Sequence, residues 1–166
     1  MMMEILYVRH GETSYSRKNL FMGRKNLPIL MQKKDEFLAT IKAVINFSPE
    51  IVICSPLLRA KQSLEVLNVD IKPVFTSLLL ERDFGNYESM PKTPYNRQSL
   101  EKDPSVESLE SIHLRVKKFI YLLQKKPSPT LVVGHSGFYK ILKTYALNKD
   151  SVKNEILPAG FSKLAF

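Results

Sequence analysis

Three short apolar runs limit what this chain can become: residues 4–8 (EILYV), 51–54 (IVIC) and 130–134 (TLVVG). Each is too short for a helix and rich in β-formers, so each reads as a buried strand. Between them lie helical patterns. From Gln32 to Phe47, Phe37, Ile41, Val44 and Ile45 recur at helical spacing. After IVIC, Ser55 is placed to cap a helix whose first position is Pro56. From Val106 to Lys126, Leu109, Ile112, Val116, Phe119, Ile120 and Leu123 mark one apolar face of a long helix, and HSGFYKILKTYAL follows the third strand as another. Lys72–Phe75 is a weaker strand candidate, the tail GFSKLAF alternates like an edge strand, and the proline-bearing stretch Tyr87–Pro104 reads as a loop or mobile lid. Strands that alternate with helices predict one α/β domain over residues 1–166, with a largely parallel sheet covered on both faces. Such sheets bind ligands beyond the carboxyl ends of their strands.

Composition narrows the function classes. The formal charge is +9, from 25 Lys+Arg against 16 Asp+Glu, but the lysines are scattered in pairs such as Lys33–Lys34 and Lys117–Lys118. That pattern describes a solvated surface rather than a polyanion site, and no nucleic-acid-binding spacing is present. No apolar run is long enough to cross a bilayer, and MMMEILYVRH lacks the basic region and cleavage site of a signal peptide. The one cysteine, Cys54, sits in an apolar strand as a small hydrophobe. A cytoplasmic protein with no membrane or nucleic-acid partner is expected, and no metal, since the few His and Cys lack ligand spacing.

What the strands run into is polar. Arg9, His10 and Gly11 leave the first strand, Ser55 and Arg59 follow the second, and His135 follows the third. In a parallel sheet these exits share one edge, so two imidazoles and two guanidiniums converge. A neutral imidazole is a nucleophile, and neighbouring positive charge keeps it neutral. Guanidinium forks match phosphate oxygens. The combination suggests phosphoryl transfer through a phosphohistidine, with Gly11 letting the backbone approach the phosphate. A departing alkoxide needs a proton, and Glu81, at the end of an apolar run and before a glycine turn, is the candidate acid. Beside a bound phosphate dianion a carboxyl is favoured in its protonated form.

Six stretches then appear in a familiar order: YVRHGET (7–13), FMGRKNLPI (21–29), ICSPLLRAKQSLE (53–65), LLERDFGNYE (79–88), PSVESLESIHLRV (104–116) and VVGHSG (132–137). They cover most of the chain, which resembles the histidine phosphatase superfamily in the branch that holds phosphoglycerate mutases and many broad phosphatases. The resemblance implies a phosphoglycerate mutase-like three-layer α/β/α sandwich with a mostly parallel sheet. It implies phosphorylation of His10, a phosphoryl group bound by Arg9, Arg59 and His135, and proton donation by Glu81. It also places Thr13 and the backbone N–H of Ser136 near the phosphate, and needs no cofactor.

The sequence departs from the family pattern at several points. Ser16 stands where the family often has Asn and can still donate a hydrogen bond to the substrate, Asn26 replaces an Asp, and Ser105-Val106-Glu107-Ser108 replaces Gly-Gly-Glu-Ser. These departures touch the rim and bear on the substrate, not the phosphoryl chemistry. The expected partners are a small phosphorylated substrate and inorganic phosphate as product. The rivals are a mutase, whose family members carry a longer insertion after the Glu-bearing segment; a protein phosphohistidine phosphatase, whose members typically lack that acid; and a non-catalytic phosphate-binding module, which generally loses the nucleophile.

Overall fold

The structure, a computed structural model, describes residues 2–126 and 129–166. Its elements in chain order are β1 (Glu4–Arg9), α1 (Ser14–Arg17), α2 (Leu38–Phe47), β2 (Ile51–Cys54), α3 (Leu58–Leu67), β3 (Val74–Phe75), α4 (Pro94–Ser99), α5 (Leu109–Gln124), β4 (Thr130–Gly134), α6 (Ser136–Leu142) and β5 (Phe161–Ala165). The five strands form one sheet in the order β3-β2-β4-β1-β5. β1, β2, β3 and β4 run parallel, and β5 pairs antiparallel with β1 at the edge. This is the mostly parallel α/β sandwich expected.

Side chains of a strand alternate between its two faces, and here both faces are covered. Ile5 and Tyr7 point into one core with Ile53 and Val132, closed by Ile112, Val116, Phe119 and Leu123 of α5 and Phe138 and Leu142 of α6. Leu6 and Val8 point into the other with Val52, Cys54, Leu131 and Val133, closed by Phe37, Val44, Ala60 and Leu67. Burial on both sides is why these strands read as unbroken apolar runs, and each such side chain contributes about 1.5–3 kcal/mol. Cys54 is a buried member of this core.

Four expectations about elements change. The helix expected from Gln32 begins as a 3-10 stretch, Met31–Phe37, with non-helical angles at Lys33; α2 proper starts at Leu38, and Ile45 is 70% exposed. Ser55 and Pro56 do not open α3, which starts at Leu58 after the extended Leu57. The Leu58 amide is instead capped by Asn26 Oδ1 at 2.7 Å. The stretch Tyr87–Pro104 is not a structureless loop: Thr93 accepts the Asn96 amide and Pro94 takes the first turn of α4. Proline suits that position because its missing N–H would have no helical partner there. Finally, α5 starts at Leu109, capped by Ser108, while Val106 packs with Phe21 and Leu100 in a small separate cluster.

Register decides what the sheet presents. Arg9 lies beside Gly134, and Cys54 beside Val133. The ladder continues one step past the strands, as His10 N donates to Gly134 O and Ser55 N donates to Val133 O. The three polar exits therefore leave the sheet at one level.

Candidate active site

His10 and His135 face each other with ring centroids 5.3 Å apart and planes inclined by 56°. His10 Nδ1 lies 2.7 Å from the Gly11 carbonyl, which can only accept. The proton of the neutral ring is thereby on Nδ1, and Nε2 carries a bare lone pair. Burial, then the charges of Arg59 and Arg9, hold the His10 imidazole well below its usual value, so the ring stays neutral.

His135 is fixed from two sides. The Tyr7 hydroxyl donates to its carbonyl and accepts its amide, both at 2.9 Å. A Cβ on Gly134 would collide with that hydroxyl. The ring Nε2 lies 2.7 Å from Ser55 Oγ, which also accepts the Leu57 amide. The assignment that uses every group has Ser55 donating its proton to Nε2. His135 then carries its own proton on Nδ1. Ser55 is not the cap of α3 because Leu57 is still extended and the helix starts only at Leu58. Burial, followed by the Arg59 charge, holds the His135 imidazole well below its usual value.

Among the described residues, three buried side-chain polar atoms have no partner: Arg9 Nε, Arg59 Nε and His135 Nδ1. Burying an unpaired N–H costs about 1–3 kcal/mol, so three on converging residues mark where an anion fits. Arg59 is anchored through two of its five N–H groups: Nη1 donates to Lys25 O and Nη2 to Gly23 O, both at 2.6 Å, while Nε has no partner. Burial lowers Arg59 to about 10, still charged at neutral pH. Arg9 Nη1 is held by the Ile156 carbonyl at 2.8 Å.

Glu81 is 7% exposed and accepts three backbone amides. Oε1 takes Arg82 N at 2.8 Å and Phe138 N at 3.0 Å, and Oε2 takes Gly137 N at 2.9 Å. Oε2 therefore keeps the freer lone pair. Arg82 forms no ion pair with its neighbour Glu81. Arg82 grips Glu101 bidentately instead, with both contacts at 2.8 Å. A cavity of about 180 Å³ opens beside Glu81, lined also by Ser136, Gly137, Phe21 and Phe84, with Lys92 and Lys140 among its cations. Lys92 joins the two parts of the site, since it lines the cavity and its charge acts on His10.

A model of the histidine phosphatase superfamily (branch 1) matches residues 5–164. The chain belongs to the histidine phosphatase superfamily. It is 30% identical over 148 residues to a protein of Bacillus subtilis named uncharacterized phosphatase PhoE, covering 86% of this chain and 77% of that one. A phosphoglycerate mutase structure from Thermus thermophilus aligns with TM-score 0.75 and 26% identity, over 98% of this chain and 92% of that one. A putative α-ribazole-5′-phosphate phosphatase of Escherichia coli shares the fold at TM-score 0.81 and 19% identity, over 99% and 94% of the two chains.

Within this superfamily fold, Arg9, His10, Arg59 and His135 are linked by ring contact and by mutual charge effects, and Glu81 acts electrostatically on both arginines. Three residues expected near the phosphate also take part in the local structure. A Cβ on Gly11 would come within 2.9 Å of the Phe37 ring. Its amide donates to Ser63 Oγ and its carbonyl sets the His10 tautomer. Thr13 and Ser16 cap α1 reciprocally, each accepting the other's amide. Ser136 lines the cavity. Sequence reading missed Tyr7 and Ser63, which pass for core and helix residues, and gave Ser55 a different partner. His113, on α5, is half-buried and its ring bonds Tyr145 Oη at 2.7 Å.

Proposed function

We propose that this histidine phosphatase hydrolyses small phosphomonoesters through a phosphohistidine on His10. One observation carries the reading: a neutral, buried His10 with its lone pair on Nε2 faces His135 and feels the charges of Arg9 and Arg59, and each of these three residues keeps a buried polar atom without a partner. Those donors bind the phosphoryl oxygens and meet the charge that grows on them in the transition state. Nε2 attacks phosphorus, the bond from phosphorus to the ester oxygen breaks, and Glu81 gives its proton to that oxygen. Water then attacks the phosphohistidine, the P–N bond breaks, and Glu81 takes the water proton. Inorganic phosphate leaves, and both residues return to their starting states.

The leaving group occupies the cavity beside Glu81. Its volume suits a small metabolite, and Lys92, Arg97 and Lys140 along its wall favour one that is itself anionic. His10 and His135 are both present, which argues against a purely binding module, and Glu81 argues for an ester rather than a phosphoramidate substrate. His10→Ala is expected to lose at least about a thousandfold in turnover of p-nitrophenyl phosphate. Rapid alkaline quenching of the wild-type reaction with labelled substrate should place the label on His10 in an acid-labile, base-stable linkage. Normal turnover by the variant, or label on another residue, overturns the reading. Isomerisation of 3-phosphoglycerate without phosphate release would turn it toward a mutase.

A further inference from the structure

Glu81 sits on backbone with no regular secondary structure: residues 80–84 belong to neither helix nor strand. No ladder holds this segment in place, yet its carboxyl must meet a leaving oxygen to within a few tenths of an ångström. What replaces the ladder is a knot of side chains around Glu107. The Glu107 carboxylate grips Arg115 bidentately, Oε1 to Nε at 3.0 Å and Oε2 to Nη2 at 2.8 Å. Arg115 Nη1 then donates to the carbonyls of Leu78 and Leu80 at 2.9 and 2.6 Å, on the approach to Glu81. Glu107 Oε2 accepts the amide of Asp83, and the Glu107 amide donates back to the Asp83 carbonyl at 2.8 Å, on the far side of Glu81. Arg24, 3.6 Å from Glu107 Oε2, donates from Nε to the carbonyl of Glu81 itself at 3.1 Å.

The knot also reaches the other partners of the Glu81 carboxylate. Arg115 stacks 5.5 Å from the centroid of Phe138, whose amide binds Glu81 Oε1. Arg82, whose amide binds the same oxygen, donates from Nε to the Glu107 carbonyl at 2.9 Å. The Glu107 side chain is only 8% exposed, so its two guanidinium partners have little water to replace it. Burial acts to raise the Glu107 carboxyl, but the hydrogen bonds and charge of Arg115 outweigh it and keep Glu107 ionised.

We propose that Glu107 is the positioning residue for Glu81: through Arg115, Arg24 and Asp83 it sets where the acid's carboxyl stands relative to the leaving oxygen. It touches no substrate. The inference rests on the acid role of Glu81 proposed above. Its signature is selectivity by leaving group. An alkyl phosphate needs the proton from Glu81, whereas p-nitrophenyl phosphate departs without it.

The test compares wild type, Glu81→Gln, Glu107→Gln and the double variant on p-nitrophenyl phosphate and on an alkyl phosphate such as glycerol phosphate. Glu107→Gln is expected to lower kcat on the alkyl ester about ten- to a hundredfold and on the aryl ester less than about threefold, with KM little changed. In the Glu81→Gln background it should add nothing, because it acts through Glu81. Equal losses on both esters, a further loss in the Glu81→Gln background, or no loss at all would each overturn the proposal. If Glu81→Gln itself shows no leaving-group selectivity, the acid role of Glu81 fails and this inference fails with it. Arg24→Gln, at a half-exposed position, gives the same comparison should Glu107→Gln not fold; a severalfold loss confined to the alkyl ester supports the proposal, and an equal effect on both esters overturns it.

Discussion

The two halves of the site are held in place by different forces. His10, His135 and Ser55 leave adjacent parallel strands; backbone hydrogen bonds continue one residue beyond the ladder at His10 and Ser55, and the Tyr7 hydroxyl holds His135. Glu81 stands on irregular chain and is fixed by guanidiniums, carboxylates and the amides that open α6. The nucleophile half thus depends on register and close packing, and the acid half on compensated charge. A lesion in the first should slow every ester alike, because the phosphoryl group is common to all substrates. A lesion in the second should be felt only where the leaving oxygen needs a proton.

Gly137→Ala tests the acid half hardest. Alanine is a better helix former than glycine, so α6 gains locally, but the new Cβ would collide with Glu81 Oε1 and lie 3.0 Å from its Cδ. A fall of about a hundredfold on alkyl phosphates with aryl phosphates nearly spared is expected from steady-state kinetics. Equal losses would erase the distinction between the halves.

Tyr7→Phe tests the sheet half. It removes the hydroxyl that both donates to and accepts from His135, leaving a buried amide unpaired at a cost of about 1–3 kcal/mol. Thermal unfolding should show the loss of stability, and turnover should fall about tenfold on aryl and alkyl esters alike. Loss on alkyl esters alone would mean that Tyr7 serves the acid.

The smallest effects are in the pH profile of kcat/KM, where each half has its own limb. His10 loses its nucleophilic lone pair only on protonation, and burial with the nearby arginines lowers its pKa. The acid limb should therefore lie well below the imidazole's ordinary value of about 6.5. Lys92, beside Glu81, is lowered to about 8 by burial and by Arg9, so its charge is present below that pH and lost above it. For anionic substrates kcat/KM should decline severalfold as pH rises through about 8, and Lys92→Met should remove that limb while leaving the acid one. An acid limb at or above the ordinary imidazole value would break the account of His10.

The same division sets what could be read in advance. Apolar runs and helical spacing are local, so β1, β2, β4, the apolar face of α5 and the convergence of both histidines were legible without coordinates. Edge strand β5 was legible from its alternation. Ser55 was misread because a Ser-Pro pair looks the same whether its hydroxyl caps a helix or binds a histidine many residues away in sequence. Thr93-Pro94 was misread because proline both breaks helices and starts them, and only the Thr93 hydrogen bond to Asn96 shows which.

By itself the sequence determined an α/β sheet that delivers arginines and imidazoles to one edge, because strand period and chain order are properties of neighbouring residues. The tertiary structure alone decided the tautomer of His10, the carbonyls that anchor Arg59, and the clamp of Glu107 and Arg115 around the Glu81 segment. Those depend on charges and carbonyls brought together from distant parts of the chain, and spacing along a sequence does not record which of many possible partners a buried polar atom meets.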